Sequence, residues 1–330
     1  MKKLYIFFFL VLMLGVFCLS AVKAGENLIS EPSSSGVGRI NEIAQLRPLT
    51  GETAPLGQQG VPENGCNRAD WLKRTTIGAI IESDQKPRYY IETVQPFYQS
   101  AGKKDTVFTH IRVSEQDEYG TYSAGVGYRR LLFDDNLMAG INTFFDYQDP
   151  HQHYQQGVGL EAIGKFAELR ANGYFGLSPA RKVDEPGTYE KARDGFDVEF
   201  GVPVPYIPWM KVFGSCYWYD FREGPDVEGW RSRAELKPLS FLTINLETYD
   251  DNKGSQEWRG DIRLALWVDS FAPKDIFAAL ASSFKTALPE VDMKERTLDR
   301  VERQFKIVVE RWSETATGGV GGFSVQVGRT

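Results

Sequence analysis

The stretch WRGDIRLALWV at residues 258–268 divides by parity: Trp258, Ile262, Leu264, Leu266 and Val268 fall on one face of an extended chain, and Arg259, Asp261, Arg263 and Ala265 on the other. Successive side chains of a strand point to opposite faces, so the segment reads as a strand with an apolar side and a largely charged side. GWRSRAELK at 229–237 divides the same way, with Trp230, Ser232, Ala234 and Leu236 against Arg231, Arg233, Glu235 and Lys237. Such a split suits a wall with a nonpolar exterior and a wet interior. An antiparallel sandwich with one solvated face has the same alternation. The length of the segments, about ten residues, favours a barrel. So does the position of Tyr89, Tyr122, Tyr147, Trp230, Tyr249 and Trp258 near proposed strand ends, where interfacial aromatic girdles belong.

Outward from these two segments the pattern repeats, giving twelve strands at 89–99, 106–115, 119–130, 136–147, 153–164, 167–176, 195–203, 210–219, 229–237, 240–249, 257–268 and 300–312. An even count is expected of a bacterial single-chain barrel. The expected fold is thus all-β, a transmembrane antiparallel barrel of about twelve strands with a short N-terminal periplasmic segment. Between the last two strands, 269–299 reads as a short helix at 276–281 followed by a charged stretch, and 313–330, with Gly318-Gly319-Val320-Gly321-Gly322, has the composition of a flexible linker. Residues 25–88 are rich in Gly, Pro, Ser, Gln and Asn and read as a largely irregular leader, in which 70–83 fits a helix or a strand. One conflict follows. Short turns come after odd strands and longer connections, 177–194 and 220–228, after even ones. If long loops face outward, the first strand enters from outside, unless a strand near 75–83 is missing from the count or the leader crosses the lumen.

The N-terminus carries an export signal: Lys2 and Lys3, an apolar run over 4–19, then Ala21-Val22-Lys23-Ala24, with cleavage expected after Ala24. The run is shorter than the ~20 residues of a spanning helix. Loss of Lys2, Lys3 and Lys23 takes the formal charge from -6 to about -9, which gives nucleic-acid binding no support. Cys18 leaves with the signal, so Cys66 and Cys216 remain and form a possible disulfide in an oxidising compartment.

Catalytic patterns are not visible. His110, His151 and His153 are the histidines, and none sits beside a serine or carboxylate pattern that names a triad. His151-Gln152-His153 has a chelating spacing, but with no third ligand nearby in sequence a solvated loop is the better reading. Asp134-Asp135 and Asp250-Asp251 read as turn formers rather than cation sites. The glycines of Gly125-Val126-Gly127 and Gly157-Val158-Gly159 fit close strand packing better than nucleotide loops. No enzymatic activity, cofactor or metal is therefore assigned. The candidate site residues are charges expected to face the lumen: Arg231, Arg233, Glu235, Arg259, Asp261, Arg263, Glu302 and Lys306. They either hold a linker or pass solute, or else merely fill a wet interior.

Four blocks carry a family resemblance: GVGYRRLLFDDNLMAGINTFFDY (125–147), ELRANGYFGLS (168–178), YEKARDGFDVEF (189–200) and LDRVERQFKIVVERW (298–312). In order and spacing they resemble the successive barrel blocks of the intimin/invasin inverse autotransporters, over 89–312. The resemblance implies an outer-membrane barrel preceded by a periplasmic region and followed by a linker that threads the pore toward a surface-exposed, host-binding passenger. Here about eighteen residues follow the last proposed strand, and no clear LysM-type module precedes the barrel, so the expectation is a translocator or anchor with no or minimal passenger. A porin-like channel, or a host-contact protein acting through surface loops such as 177–194, are the alternatives. The expected organisation is a signal peptide at 1–24, a leader at 25–88, the barrel at 89–312 and a Gly-rich tail at 313–330. Expected partners are outer-membrane lipid and lipopolysaccharide, the barrel-assembly machinery and periplasmic chaperones, with a host or cell-surface ligand left open.

Overall fold

A computed structural model describes residues 71–83, 85–117, 119–183, 187–266 and 291–313, all within the compact unit Ala69–Thr330. The expected export signal, the leader up to residue 70 with Cys66, the helix at 276–281 and the tail beyond residue 313 lie outside the described residues.

The strands are β1 (Thr75–Glu82), β2 (Arg88–Gln99), β3 (Asp105–Gln116), β4 (Tyr119–Leu132), β5 (Leu137–Gln148), β6 (His153–Gly164), β7 (Glu168–Gly176), β8 (Arg181–Lys182), β9 (Thr188–Ala192), β10 (Gly195–Val204), β11 (Ile207–Tyr219), β12 (Val227–Leu239), β13 (Leu242–Asp251), β14 (Glu257–Ala265) and β15 (Val309–Ser313). Twelve of them close an antiparallel barrel in the order β1-β14-β13-β12-β11-β10-β7-β6-β5-β4-β3-β2. Closure pairs Ile77 with Leu264 and Ile80 with Asp261 across the β1–β14 seam, so the barrel wall itself has no open strand edge among the described residues. β8, β9 and β15 form a separate three-stranded sheet in the order β15-β9-β8.

The count of twelve stands, but its membership changes at both ends. The wall begins at Thr75, inside what reads as leader, and the expected twelfth strand at 300–312 is not in the wall. β1 is hard to see because Ile80 points inward while Ile77 and Ile81 point outward, so apolar residues lie on both faces and the alternation blurs. Elsewhere the faces are well separated. Ile91, Ile111, Val126, Phe145, Leu169, Trp230, Leu246, Trp258 and Ile262 are exposed on the outside, and Arg112, Arg129, Asn142, Glu161, Arg170, Glu199, Arg233, Glu247 and Arg263 are buried within. In water this exterior would be an unusually large apolar patch. In a bilayer it is the lipid-facing band.

Tight turns at 133–136, 165–167, 205–206 and 240–241 share one end of the barrel, where β1 also starts and β14 finishes, since Thr76 pairs with Ala265. The long connections 177–194 and 220–226 leave from the other end. Including β1 removes the topological conflict, because the wall then starts and finishes at the short-turn end.

Candidate functional site

The segment 291–313 runs through the lumen from the short-turn end to the loop end. Its apolar side chains complete all four buried apolar clusters of the described residues. Met293 and Val291 meet Leu131, Met138 and Ile163 near the short turns. Val301 and Phe305, with Leu298, pack against Val94, Phe108 and Phe144 midway. Val308 joins Tyr174, Tyr219, Phe221 and Val227, and Ile307 and Val309 close on Ala192. Burying a Val, Ile or Phe side chain is worth about 1.5–3 kcal/mol, so this segment carries much of the interior's hydrophobic stabilisation.

Polar contacts fill the gaps between these clusters. Arg303 makes a bidentate pair with Asp146 on β5, at 2.9 and 2.7 Å, with both side chains buried. Its guanidinium carbon lies 4.5 Å from the Phe144 ring centroid, and a side chain at Gly157 would collide with it. Gly157 thus serves close approach, and Gly125 makes the same room for the Phe144 ring, which lies 2.5 Å from where a Cβ would stand. Glu302 binds Arg263 at 3.3 Å and Arg300 at 3.5 Å, and Arg300 reaches Glu92 at 3.2 Å. The wall also holds the segment's backbone: the Tyr174 hydroxyl accepts from the Gln304 amide at 2.8 Å, and Arg129 donates to the carbonyls of Thr297 and Asp299. Before β15 the segment has no strand beside it to pair with, so side chains of the wall satisfy these buried peptide groups.

At the loop end the segment is tied twice. Its last residues, β15, pair with β9, with Glu310 opposite Lys191 and Arg311 opposite Glu190. The fully buried Glu310 carboxylate accepts the amides of Arg222, Glu223 and Gly224 at 3.1, 2.8 and 2.9 Å and pairs with Arg193. A three-amide nest and a guanidinium offset the cost of burying this charge. On the other side Arg311 pairs with Oε1 of Glu190, while His151 Nδ1 at 2.7 Å and His153 Nε2 at 3.3 Å face its Oε2. Burial raises the Glu190 carboxyl, but the hydrogen bonds of His153 and Arg311 and the charges of Arg311 and His151 outweigh it and hold the group down at about 2.

All eight charges singled out in the sequence lie in the interior. Arg231 reaches Glu247 at 3.4 Å, Arg233 reaches Glu199 at 2.7 Å, and Glu235 meets Lys237 at 3.1 Å. Arg259 reaches Glu82 at 3.2 Å, Tyr90 donates to Asp261 at 2.6 Å, and Lys306 donates to Gln116 at 3.3 Å. Six of them belong to the wall; Glu302 and Lys306 belong to the threaded segment rather than to a wall strand. Cys216 is exposed on the outer face of β11. Phe133, Asp134 and Asp135 form a turn with positive φ of 51–61°, and Asp251 accepts the Lys253 amide at 2.8 Å. Sequence reading missed Asp146, Glu310 and Glu190. A lone carboxylate in an alternating strand carries no local sign of its partner, which stands 157 residues away for Asp146.

Comparison with known proteins supports the same assignment. Residues 63–304 match the family described as inverse autotransporter, beta-domain. A protein of Escherichia coli (strain K12) named "Putative attaching and effacing protein homolog" is 28% identical over 212 residues, 63% of this chain and 65% of its own length. The inverse autotransporter adhesin YeeJ of the same organism is 29% identical over 206 residues, 58% of this chain but 9% of YeeJ. The invasin of Yersinia enterocolitica is 29% identical over 145 residues, 42% of this chain and 17% of invasin. The chain therefore spans less than two thirds of the length of these relatives. A membrane protein solved in work on the mechanism of in-meso crystallization shares the fold at a TM-score of 0.60 and 18% identity, covering 72% of this chain and 99% of that one. With the alternating wall, the closed twelve-strand barrel and the family match in agreement, the chain belongs to the inverse autotransporter β-domain family, of intimin/invasin type, and is a barrel of the outer membrane.

Proposed function

We propose that the barrel exports, and then anchors at the surface, the polypeptide that continues through its lumen. The observation that carries this reading is the course of 291–313, which enters at the short-turn end and reaches the loop end held by side chains throughout. Outer-membrane barrels keep short turns in the periplasm and long loops outside, so the segment points from periplasm to exterior. A tag after Thr330, labelled on intact cells with an impermeant reagent, tests this. Labelling together with heat-modifiable gel mobility is the expected result. A folded barrel with an unlabelled tag would refute it.

A second reading, a solute path beside the segment, has one observation in its favour. A polar cavity lies between the segment and the charged side of the wall, lined by Arg231, Arg233, Glu247, Arg259, Asp261 and Glu302. Small ion currents through the intact barrel would support it, and a silent bilayer would refute it. Adhesion belongs to this proposal only by way of the relatives named adhesin and invasin. Protease access to loop 177–194 on intact cells is the corresponding measurement. Contact with lipopolysaccharide and insertion by the barrel-assembly machinery follow from the same reading.

A further inference from the structure

His151 lies in the β5–β6 turn, His153 begins β6, and Glu190 stands in the middle of β9. Three ligand-capable atoms from these residues lie within 4.8 Å of one another. The two rings converge, with centroids 6.3 Å apart at an angle of 78°. His153 and Glu190 are buried and His151 is half-buried. In a tetrahedral zinc site with bonds of about 2.0–2.1 Å, neighbouring ligand atoms stand roughly 3.3 Å apart. His153 Nε2 and Glu190 Oε2 already have that spacing, at 3.3 Å. His151 Nδ1, at 2.7 Å from the same oxygen, needs to move outward by about half an ångström to reach it.

The surroundings orient these groups as metal sites commonly require. The second ring nitrogen of His153 meets Ser178 Oγ at 3.2 Å, a hydroxyl able to accept from Nδ1–H in the tautomer that leaves Nε2 to ligate. The second carboxylate oxygen of Glu190 is taken by Arg311, so Oε2 alone faces the histidines. Two imidazoles and one carboxylate, with room for a water, form the donor set of a three-ligand zinc site.

We propose that His151, His153 and Glu190 bind a divalent transition-metal ion, zinc by its donor set, and that the ion locks the exit of the threaded chain. Glu190 stands opposite Arg311 across the β9–β15 ladder, so the metal links the barrel wall, through His153, to the strand that grips the emerging segment. Placing the site on the outer face rests on the export reading, but binding itself does not. The assay below is therefore done on detergent-purified barrel, where failure of one does not imply failure of the other.

The experiment titrates zinc alone into the untagged, heat-modifiable protein by calorimetry. Its three histidines are His110, His151 and His153, and His110 is fully buried against Glu92 in the lumen. Uptake of one equivalent is expected. His151→Gln and His153→Gln, each first shown to be heat-modifiable, should weaken it by at least about 100-fold, and Ser178→Ala by roughly tenfold. X-ray absorption on the zinc-loaded wild type supplies a readout that needs no variant: two imidazoles and an oxygen are expected. No uptake, uptake unchanged in folded His151→Gln and His153→Gln, or a zinc shell of sulfur or of oxygen alone would overturn the proposal.

Discussion

The two sides of the lumen around the threaded segment compensate their buried charges by different means. On the β3–β6 side, Phe108 and Phe144 take Phe305 into an apolar cluster, glycines open space, and Arg303 meets Asp146. Among the described residues, Asp146 has Arg303 as its ion partner. On the β10–β14 side most carboxylates serve several cations. Glu247 binds Arg231 and Arg259, Glu199 binds Arg170 at 3.0 Å and Arg233 at 2.7 Å, and Glu235 lies near Arg233, Lys237 and Arg263. Redundant ion pairs tolerate a loss, because the remaining partner still compensates the buried charge. A single pair does not, since its survivor is left buried and uncompensated.

The largest effect should come from removing the occupant altogether. A chain ending at residue 290 keeps every wall strand and should conduct several-fold more than the intact barrel in planar bilayers. Unchanged conductance would mean that 291–313 does not fill the pore. Next comes Arg303→Ala, expected to cost about 3–5 kcal/mol by denaturant unfolding into vesicles because Asp146 is stranded. Arg303→Met combined with Asp146→Asn should recover much of that loss, and failure to do so would assign the cost to packing against Phe144 instead. Phe305→Ala should cost about 3 kcal/mol, the usual range for emptying a buried aromatic site, with a matching fall in the temperature at which the gel shift is lost. Arg231→Gln on the charged side should cost only about 1–2 kcal/mol, since Glu247 keeps Arg259. Equal losses for Arg231→Gln and Arg303→Ala would break the contrast between the two sides.

Much of the wall is legible residue by residue. Parity at Trp258–Arg259 and Trp230–Arg231 is a local property, set by a backbone whose side chains alternate: both tryptophans are exposed outside and both arginines pair with Glu247 inside. The segment 300–312 misleads for the same local reason. Val301, Phe305, Ile307 and Val309 share one parity and Glu302, Gln304, Lys306 and Glu310 the other, with Arg303 and Val308 as exceptions, so the segment resembles a wall strand, but it is enclosed by lumen on every side. Its apolar residues meet Phe108, Phe144 and Ala192, and its charges meet Asp146, Glu92 and Arg263, so nothing in it faces lipid.

By itself, then, the sequence determined the strand periodicity, the polar interior with its eight charges and the family, because each is written in spacings of a few residues or in contiguous blocks. Only the tertiary structure decided that Thr75–Glu82 closes the barrel against β14, that 291–313 fills it, and that Glu190 meets His151 and His153. Those outcomes depend on which distant segments reach the same place, and contacts such as His153–Glu190, Asp146–Arg303 and Glu82–Arg259, which are 37, 157 and 177 positions apart, leave no periodic trace in the chain.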